Sequence, residues 1–244
     1  MTRSSPVTTR PNQAHPGYRK RGEFAHRRDA STPHADPGEH ASLTSDRLQV
    51  AIPLFPAVAA LDAVGPYEVL QCIPSVNVVF LGYRRGRVRA EGAMLGLVVD
   101  RTFEDLPYPD VIVFPGGAGV GRLEHDDRVL NWVRKAHAGT RFTTAVSAGS
   151  LVLGAAGLLR GLTATTDGRY RSELNAYGAK AETARVIEHL DKRVITASGA
   201  LGAIEMAWRL VEVLYGPDAV HFDRMMLVAG SRSGWVLPAR CASV

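Results

Sequence analysis

The pattern of hydrophobic positions changes near residue 48. Residues 1–47 hold almost no Ile, Val or Leu and are rich in Arg, His, Pro, Ser and Thr. A segment of this kind cannot bury enough apolar surface to offset the entropy lost when it is ordered. We therefore expect a disordered tail over 1–47, a folded domain over 48–230 and a second tail over 231–244.

Beyond residue 48, short apolar runs alternate with segments of helical spacing. Predicted strands cover 49–55, 76–83, 110–117, 141–147 and 192–198, with a hairpin around Gly92 within 87–100. Predicted helices cover 59–71, 126–138, the segment after Ser147, and 200–216. Strands rich in Val and Ile that are separated by helices are typical of a mostly parallel sheet covered on both faces. The predicted fold class is therefore α/β.

Two of these helices carry further signals. In the first, Leu61, Val64 and Val69 follow helical spacing, which predicts an apolar face. In the second, Asp126 stands where its carboxylate can cap the first turn.

Composition and charge narrow the classes of protein that fit. With 244 residues, of which 45% are hydrophobic and 22% charged, the chain has the composition of an ordinary globular protein with one core. The net charge of +5 could indicate nucleic-acid binding, but eight Lys and Arg residues precede position 49, so much of the excess lies in the tail. We therefore expect no nucleic-acid partner.

Cysteine and histidine placement argues against a metal site. Cys72 and Cys241 are too few and too far apart for a disulfide framework or a metal site with Cys ligands. The four histidines before residue 48 are irregularly spaced and have no neighbouring Cys. No apolar run reaches the roughly 18 residues that cross a bilayer, and the N-terminus lacks an apolar signal core. These features predict a metal-free cytoplasmic protein with no membrane partner.

Candidate functional residues follow the predicted strands. Parallel sheets bind ligands beyond the carboxyl ends of their strands, which is where Gly116, Gly117 and Ser147 fall. The turn GGAGVG at 116–121 departs from the GxGxxG spacing of dinucleotide sites, and no fitting acidic residue closes the next strand. We therefore expect no cofactor. The glycines could instead place backbone amides against a ligand and stabilise negative charge there, or form a tight turn alone.

Two polar side chains also lie at these strand ends. Ser147 separates a buried strand from a helix in TTAVSAGSLVLG, a position at which many α/β enzymes hold a nucleophile. Asp62 lies in an apolar stretch directly after the first strand. If Asp62 is buried, desolvation raises its pKa toward the range useful for acid and base catalysis. The alternative is a turn or capping carboxylate.

Three motifs occur in a fixed order along the chain. They are LFP with LDAVGPYEVL at 61–70, DVIVFPGGAGVG at 110–121, and AVSAGSLVLGAAGLLRG at 145–161 followed by ATT. Over about 49–215 this order resembles the ThiJ/PfpI family of the class I glutamine amidotransferase-like superfamily, and within it most of all the isonitrile hydratases. The resemblance implies a flavodoxin-like three-layer sandwich with a strand-turn-helix nucleophile elbow, often assembled as a homodimer.

The resemblance also implies site residues, and three of them differ here. The isonitrile hydratases of the family carry a cysteine nucleophile where this chain has Ser147, a threonine where it has Ala148, and a histidine where it has Asp167. Asp62 corresponds to an acidic residue that handles protons while the isocyanide carbon is hydrated to a formamide.

The change at residue 147 has the largest chemical effect. An alcohol ionises far above neutral pH, so Ser147 needs a neighbouring base that the motif does not offer. Asp167 could stand across the pocket from Asp62, and two nearby carboxylates tend to divide into one acid and one base. Asp167 could equally cap the helix that begins near Tyr170. We expect surface or capping roles for His125, His137, His189 and His221.

Two functions follow as hypotheses. The first is a small-molecule hydratase of the lyase class in which Asp62 and Asp167 move protons. The substrate would be oriented by Ser147, Gly116, Gly117 and Ala148. The second is a catalytically silent ligand-binding or regulatory protein that retains the pocket.

Overall fold

The structure is a computed structural model that describes residues 47–221. The tails predicted over 1–47 and 231–244 lie outside the described residues, apart from Arg47. The last part of the predicted domain, 222–230, also lies outside them.

The described elements follow the predicted alternation of strands and helices. The strands are β1 (Leu48–Pro53), β2 (Val76–Gly82), β3 (Gly86–Arg89), β4 (Gly96–Val99), β5 (Arg101–Thr102), β6 (Val111–Phe114), β7 (Phe142–Val146), β8 (Thr163–Ala164), β9 (Lys180–Ala181), β10 (Val186–His189) and β11 (Val194–Ala197). The α-helices are α1 (Ala60–Leu70), α2 (Val120–Leu123), α3 (Asp127–Gly139), α4 (Gly149–Ala155), α5 (Arg171–Ala176) and α6 (Gly199–Tyr215). Short 3₁₀ helices occupy Gly168–Tyr170 and Leu190–Lys192.

A seven-stranded sheet forms the centre of the fold, in the order β10-β11-β7-β6-β1-β2-β5. Its neighbouring strands run parallel, except that β10 is antiparallel to β11. When the outer strands β10 and β5 are left out, β11-β7-β6-β1-β2 remain. Numbered in chain order, these five strands have the 2-1-3-4-5 order of flavodoxin-like sheets, read from the β2 side. The predicted α/β class with a mostly parallel sheet is therefore confirmed. The predicted hairpin is present too, because β3 and β4 pair antiparallel outside this sheet.

Helices cover both faces of the sheet. Helix α1 packs against α6, and α3 packs against α4. The connection β1-α1-β2 and the connection β6-α3-β7 run in opposite directions along the strand order. Since crossovers between parallel strands are right-handed, α1 and α3 lie on opposite faces. The result is the three-layer sandwich expected from the resemblance.

The central strands are buried because helices cover them on both sides. Every residue of β6, β7 and β11 is buried. Even the threonines of β7 are accommodated, since the Thr144 hydroxyl donates a hydrogen bond of 2.9 Å to the Ile112 carbonyl. This buried hydroxyl therefore has the hydrogen-bond partner that buried polar groups normally need.

Helix α1 does not present the apolar face that its spacing predicts. Leu61 is 53% exposed, whereas the neighbouring Asp62 is only 5% exposed. The buried side of the helix faces α6, and a Cβ on Gly65 would lie 3.1 Å from Ile204 of that helix. The helix itself is confirmed, but its buried side includes Asp62, Gly65 and Val69 and leaves Leu61 exposed.

The cap predicted for α3 is present. The Asp126 carboxylate accepts hydrogen bonds from the amides of Arg128 at 2.9 Å and Val129 at 3.4 Å. Separately, none of the helices within 47–221 has both the length and the apolar composition needed to cross a membrane. The cytoplasmic location stays a prediction.

Candidate active site

The loops that follow β1, β6 and β7 meet at one edge of the sheet. Strands β1, β6 and β7 are neighbours and parallel, so their carboxyl ends lie together. The chain leaves β1 toward β2 on one side and leaves β6 toward β7 on the other. Parallel sheets bind ligands where the strand order reverses in this way. Asp62, Gly116 and Ser147 lie in or just beyond these three loops.

Ser147 occupies a sharp turn between β7 and α4. Its φ of +53° lies in the left-handed region, which costs a non-glycine residue free energy. The turn is held by hydrogen bonds to both sides, since the Ser147 amide donates to the Ala197 carbonyl at 2.7 Å and its carbonyl accepts from the Thr166 hydroxyl at 2.8 Å. A Cβ on Gly149 would lie 2.4 Å from the Phe114 carbonyl oxygen, so this turn requires a glycine two residues after Ser147.

Asp62 is a buried carboxyl group at the start of α1. Its side-chain oxygen Oδ2 accepts a hydrogen bond of 3.2 Å from the Gly116 amide. Burial raises its pKa from 3.8 to about 6, against the lowering effect of the Gly116 bond. The negative charges of Glu91 and Asp167 raise the pKa further. A carboxyl group with a pKa near 6 can both donate and accept a proton close to neutral pH.

Gly116 is the point at which the site residues converge. A Cβ added there would lie 2.7 Å from Oδ2 of Asp62, 2.9 Å from Cβ of Ser147 and 3.0 Å from the amide nitrogen of Ala148. All three distances are shorter than side-chain contacts normally allow. The absence of a side chain at Gly116 therefore lets the carboxyl group, the serine and the Ala148 amide approach one another.

The predicted donor amides fall into two groups. The Gly116 amide is taken by Asp62, which corrects the expectation that it faces a ligand. For the amides of Gly117 and Ala148, residues 47–221 supply no hydrogen-bond acceptor. Gly117 adopts a φ of +123° and packs directly on the backbone of 57–59, so it too must be a glycine. The Gly117 and Ala148 amides are therefore the donors that remain for a ligand.

Asp167 caps a helix, one of the two roles that the sequence left open. Its carboxylate accepts from the Arg169 amide at 2.9 Å and from the Arg169 guanidinium at 3.0 and 3.1 Å. This pairing holds the pKa of Asp167 below its usual value. The pKa values of Asp62 and Asp167 do diverge, but mainly because Asp62 is buried and Asp167 is paired with Arg169. Their mutual repulsion contributes least to the raised pKa of Asp62.

Glu91 is a site neighbour that sequence analysis did not identify. It follows β3 in the hairpin, where its amide bonds to the Val58 carbonyl at 2.9 Å. Its carboxylate accepts a hydrogen bond of 2.6 Å from the Ala118 amide in the glycine turn. The hairpin thus reaches across the loop after β1 and adds negative charge near Asp62.

None of the described histidines forms a hydrogen bond with Ser147. His137 bonds to Thr143 at 2.9 Å and His189 bonds to Thr163 at 3.1 Å, while His125 and His221 are exposed. Within the described part of the chain, no imidazole contacts the Ser147 hydroxyl. The same residues contain no group of three or more His, Cys, Asp or Glu side chains that could hold a metal ion.

Comparisons with known proteins identify the family of the chain. Residues 48–213 match the DJ-1/PfpI family. The chain is 41% identical over 180 residues to isonitrile hydratase of Pseudomonas putida, which covers 74% of this chain and 78% of that protein.

Solved structures show the same architecture. A ThiJ/PfpI family protein from Pseudomonas syringae aligns with a TM-score of 0.71 and 25% identity, over 85% of this chain and 89% of that chain. Drosophila melanogaster DJ-1beta aligns with a TM-score of 0.67 and 20% identity, over 75% of this chain and 98% of that chain, and so shares the fold. The extent of these matches shows that the chain belongs to the DJ-1/PfpI family, as the order of its three motifs predicts.

Proposed function

We propose that the protein is a hydratase of the lyase class that adds water to a small electrophile such as an isocyanide. The observation that carries the proposal is the buried Asp62 carboxyl group, whose pKa is raised to about 6 beside the Ser147 turn. The 41% identity to an isonitrile hydratase supports this choice of substrate class.

In the proposed reaction Asp62 acts first as an acid and then as a base. Protonated Asp62 donates its proton to the terminal carbon of the isocyanide R–N≡C, which makes that carbon electrophilic. A water molecule adds to the carbon while the Asp62 carboxylate accepts one of its protons. The adduct R–N=CH–OH then rearranges to the formamide R–NH–CHO, and Asp62 is again protonated for the next cycle.

Ser147 orients the substrate in this scheme and is not the nucleophile. Its hydroxyl lacks a histidine partner among residues 47–221, and in this scheme the nearby Asp62 carboxyl group exchanges its proton with the isocyanide and water instead. The amides of Gly117 and Ala148 have no acceptor among residues 47–221 and can donate hydrogen bonds to the oxygen of the adduct once water has lost its proton. Asp167 remains ionised beside Arg169 and contributes only its charge.

The test is hydration of cyclohexyl isocyanide by the wild-type protein and three variants. We expect Asp62→Asn to lower kcat by about 10²- to 10⁴-fold, the usual contribution of a general acid or base. Ser147→Ala should lower it by less than about tenfold, because only one hydrogen bond to the substrate is lost. Asp127→Asn, which alters an exposed carboxylate on α3, serves as the matched control.

A loss of all turnover in Ser147→Ala would overturn this mechanism in favour of a serine nucleophile. The second candidate function is a ligand-binding protein without catalysis, which the lack of an imidazole beside the Ser147 hydroxyl among residues 47–221 favours. Saturable binding of the isocyanide without turnover, equal in the wild type and in Asp62→Asn, would support this second function.

We also propose that the protein acts as a homodimer. Helices α1 and α6 pack on each other, and each carries an exposed leucine, Leu61 at 53% and Leu201 at 69%. Light scattering should give twice the chain mass of 26.3 kDa. Leu201→Glu should shift this mass to the monomer value, whereas Leu190→Glu, at a leucine on another element, should not. A monomeric wild type would overturn the proposal.

A further inference from the structure

A cavity lined by arginines opens beside the loop that follows β2. Its volume is about 400 Å³, and apolar walls come from Leu54 and Val88. Four arginines that fall within six consecutive residues line the same cavity: Arg84, Arg85, Arg87 and Arg89. These arginines make up four of the eight residues that line the cavity, and all four are exposed.

Two of the four guanidinium groups are already engaged. Arg85 forms an ion pair of 3.1 Å with Asp105, and Arg89 donates a hydrogen bond of 3.0 Å to the Met94 carbonyl. Arg84 and Arg87 form no ion pair with any acidic side chain that the structure describes. The cavity therefore retains two positive charges that no described carboxylate neutralises.

One of these exposed side chains lies partly against the paired strand. The aliphatic part of Arg87 lies over Gly96 on the paired strand β4, where an added Cβ would come within 2.8 Å of it. The missing side chain of Gly96 thus leaves room for Arg87 to lie across the hairpin. An arginine whose inner part rests on the backbone in this way has fewer conformations to lose when it binds an anion.

A second cavity lies next to the first. Its volume is about 450 Å³, and it shares Pro56 and Tyr83 with the arginine cavity. Phe55 and Leu123 supply apolar walls. Tyr83 is fixed between the two, because its hydroxyl donates a hydrogen bond of 2.5 Å to Asp126. The Asp126 carboxylate, which also caps α3, lines this second cavity and not the arginine cavity, so its negative charge lies outside the arginine cluster.

From this arrangement we propose that the two cavities bind a phosphate monoester of a small apolar or aromatic molecule. The phosphate carries close to two negative charges at neutral pH and would be held by the guanidinium groups of Arg84 and Arg87. The apolar body would lie past Tyr83 against Phe55 and Leu123. The volumes fall in the range of small-molecule sites.

This site is separate from the candidate active site. Neither cavity is lined by Asp62, Gly116 or Ser147. The two regions are divided by the loop after β1, where Pro56 faces the cavities and the carbonyl of Ala57 packs against Gly117. The proposal therefore does not depend on the hydratase activity.

Isothermal titration calorimetry with phenyl phosphate tests the proposal on the full chain. Phenyl phosphate should bind with a stoichiometry of one per chain. Inorganic phosphate lacks the aromatic ring and benzyl alcohol lacks the phosphate, so each should bind more weakly. The double variant Arg84→Gln/Arg87→Gln should weaken phenyl phosphate binding at least about tenfold, since two charge-assisted hydrogen-bonding groups are lost. The control Arg141→Gln/Arg160→Gln removes the same charge from exposed residues outside both cavities.

Four results would overturn the proposal. These are no detectable binding of phenyl phosphate at millimolar concentration, equal weakening in the two double variants, and benzyl alcohol binding as tightly as phenyl phosphate. The fourth is an oligonucleotide that binds more tightly than phenyl phosphate and displaces it, which would assign the arginines to a nucleic acid. Thermal unfolding of each variant checks that its fold is retained.

Discussion

The amide of Gly116 donates a hydrogen bond of 3.2 Å to Oδ2 of Asp62, which joins the loop after β6 to the start of α1. This bond fixes the carboxyl group beside the Ser147 turn although burial disfavours its ionised form. The result is a carboxyl group with a pKa of about 6 that cannot turn out toward water without losing its partner.

The raised pKa of Asp62 predicts a stability difference that depends on pH. Because the pKa is raised from 3.8 to about 6 on folding, its stabilising contribution is complete below pH 3.8 and is lost as the pH rises through 6. Asp62→Asn does not ionise and escapes this loss. At about pH 8 the variant should therefore be more stable than the wild type by about 2 kcal/mol, relative to the difference at about pH 4.

Urea unfolding between these two pH values measures the difference. Asp127→Asn, at an exposed carboxylate, should show no comparable pH dependence. A stability difference between the wild type and Asp62→Asn that stays constant with pH would show that Asp62 is not a buried group with a raised pKa.

The left-handed backbone of Ser147 predicts that a glycine there stabilises the fold. Ser147→Gly should raise the free energy of unfolding by about 1 kcal/mol, because glycine adopts a φ of +53° without steric cost. The same variant loses the hydroxyl and should bind a substrate less well. Ala93→Gly, at a φ of +59° in the hairpin turn, should give a similar gain in stability without affecting substrate binding. Calorimetric unfolding compares the two; a destabilised Ser147→Gly would mean that the turn is not strained.

The crowding at Gly116 predicts that even one methyl group disrupts the site. Gly116→Ala places a Cβ 2.7 Å from Oδ2 of Asp62, so either the carboxyl group or the Ser147 turn must move. We expect destabilisation by about 1 to 3 kcal/mol, together with loss of the Asp62 pKa shift as the carboxyl group moves toward water. Gly121→Ala is the matched control, since nothing lies within 4 Å of the added carbon. A Gly116→Ala protein with unchanged stability and an unchanged Asp62 pKa would contradict the geometry.

The charge of Glu91 predicts a change in the titration of Asp62. Glu91→Gln keeps an oxygen that can accept from the Ala118 amide but removes a negative charge that raises the Asp62 pKa. The Asp62 pKa should therefore fall toward its ordinary value. Carbon-13 NMR of the Asp62 carboxyl group follows this titration directly. Glu104→Gln, which alters an exposed carboxylate paired with Arg128, should leave the titration unchanged, and an Asp62 pKa that does not fall in Glu91→Gln would argue against the coupling.

The sequence predicts the central part of the fold well for a physical reason. Strands β1, β6 and β7 are buried on both faces, so each appears as a continuous apolar run between polar turns. Because parallel strands place their carboxyl ends at one edge, the residues that follow them can be assigned to a shared site. Asp62, Gly116 and Ser147 were identified in this way.

Other features depend on contacts that no local pattern encodes. Glu91 lies in a polar hairpin turn, where a charged residue is expected in any case. Its role near the site becomes visible only in the structure, where the hairpin contacts the glycine turn. Strand β10 includes Glu188 and His189, so its four residues lack the apolar run of a buried strand. Asp62 is buried where α1 meets the loop after β6, and its bond to the Gly116 amide joins residues 54 positions apart, so no local pattern reveals it.

The candidate site is built from three separate lengths of chain, whose spacing is set by the pairing of β1 with β6 and of β6 with β7. No single loop contains enough of it to act alone. Heat or denaturant should therefore abolish ligand recognition in the same cooperative transition that separates the strands, and a fragment that ends before β7 should retain none of it.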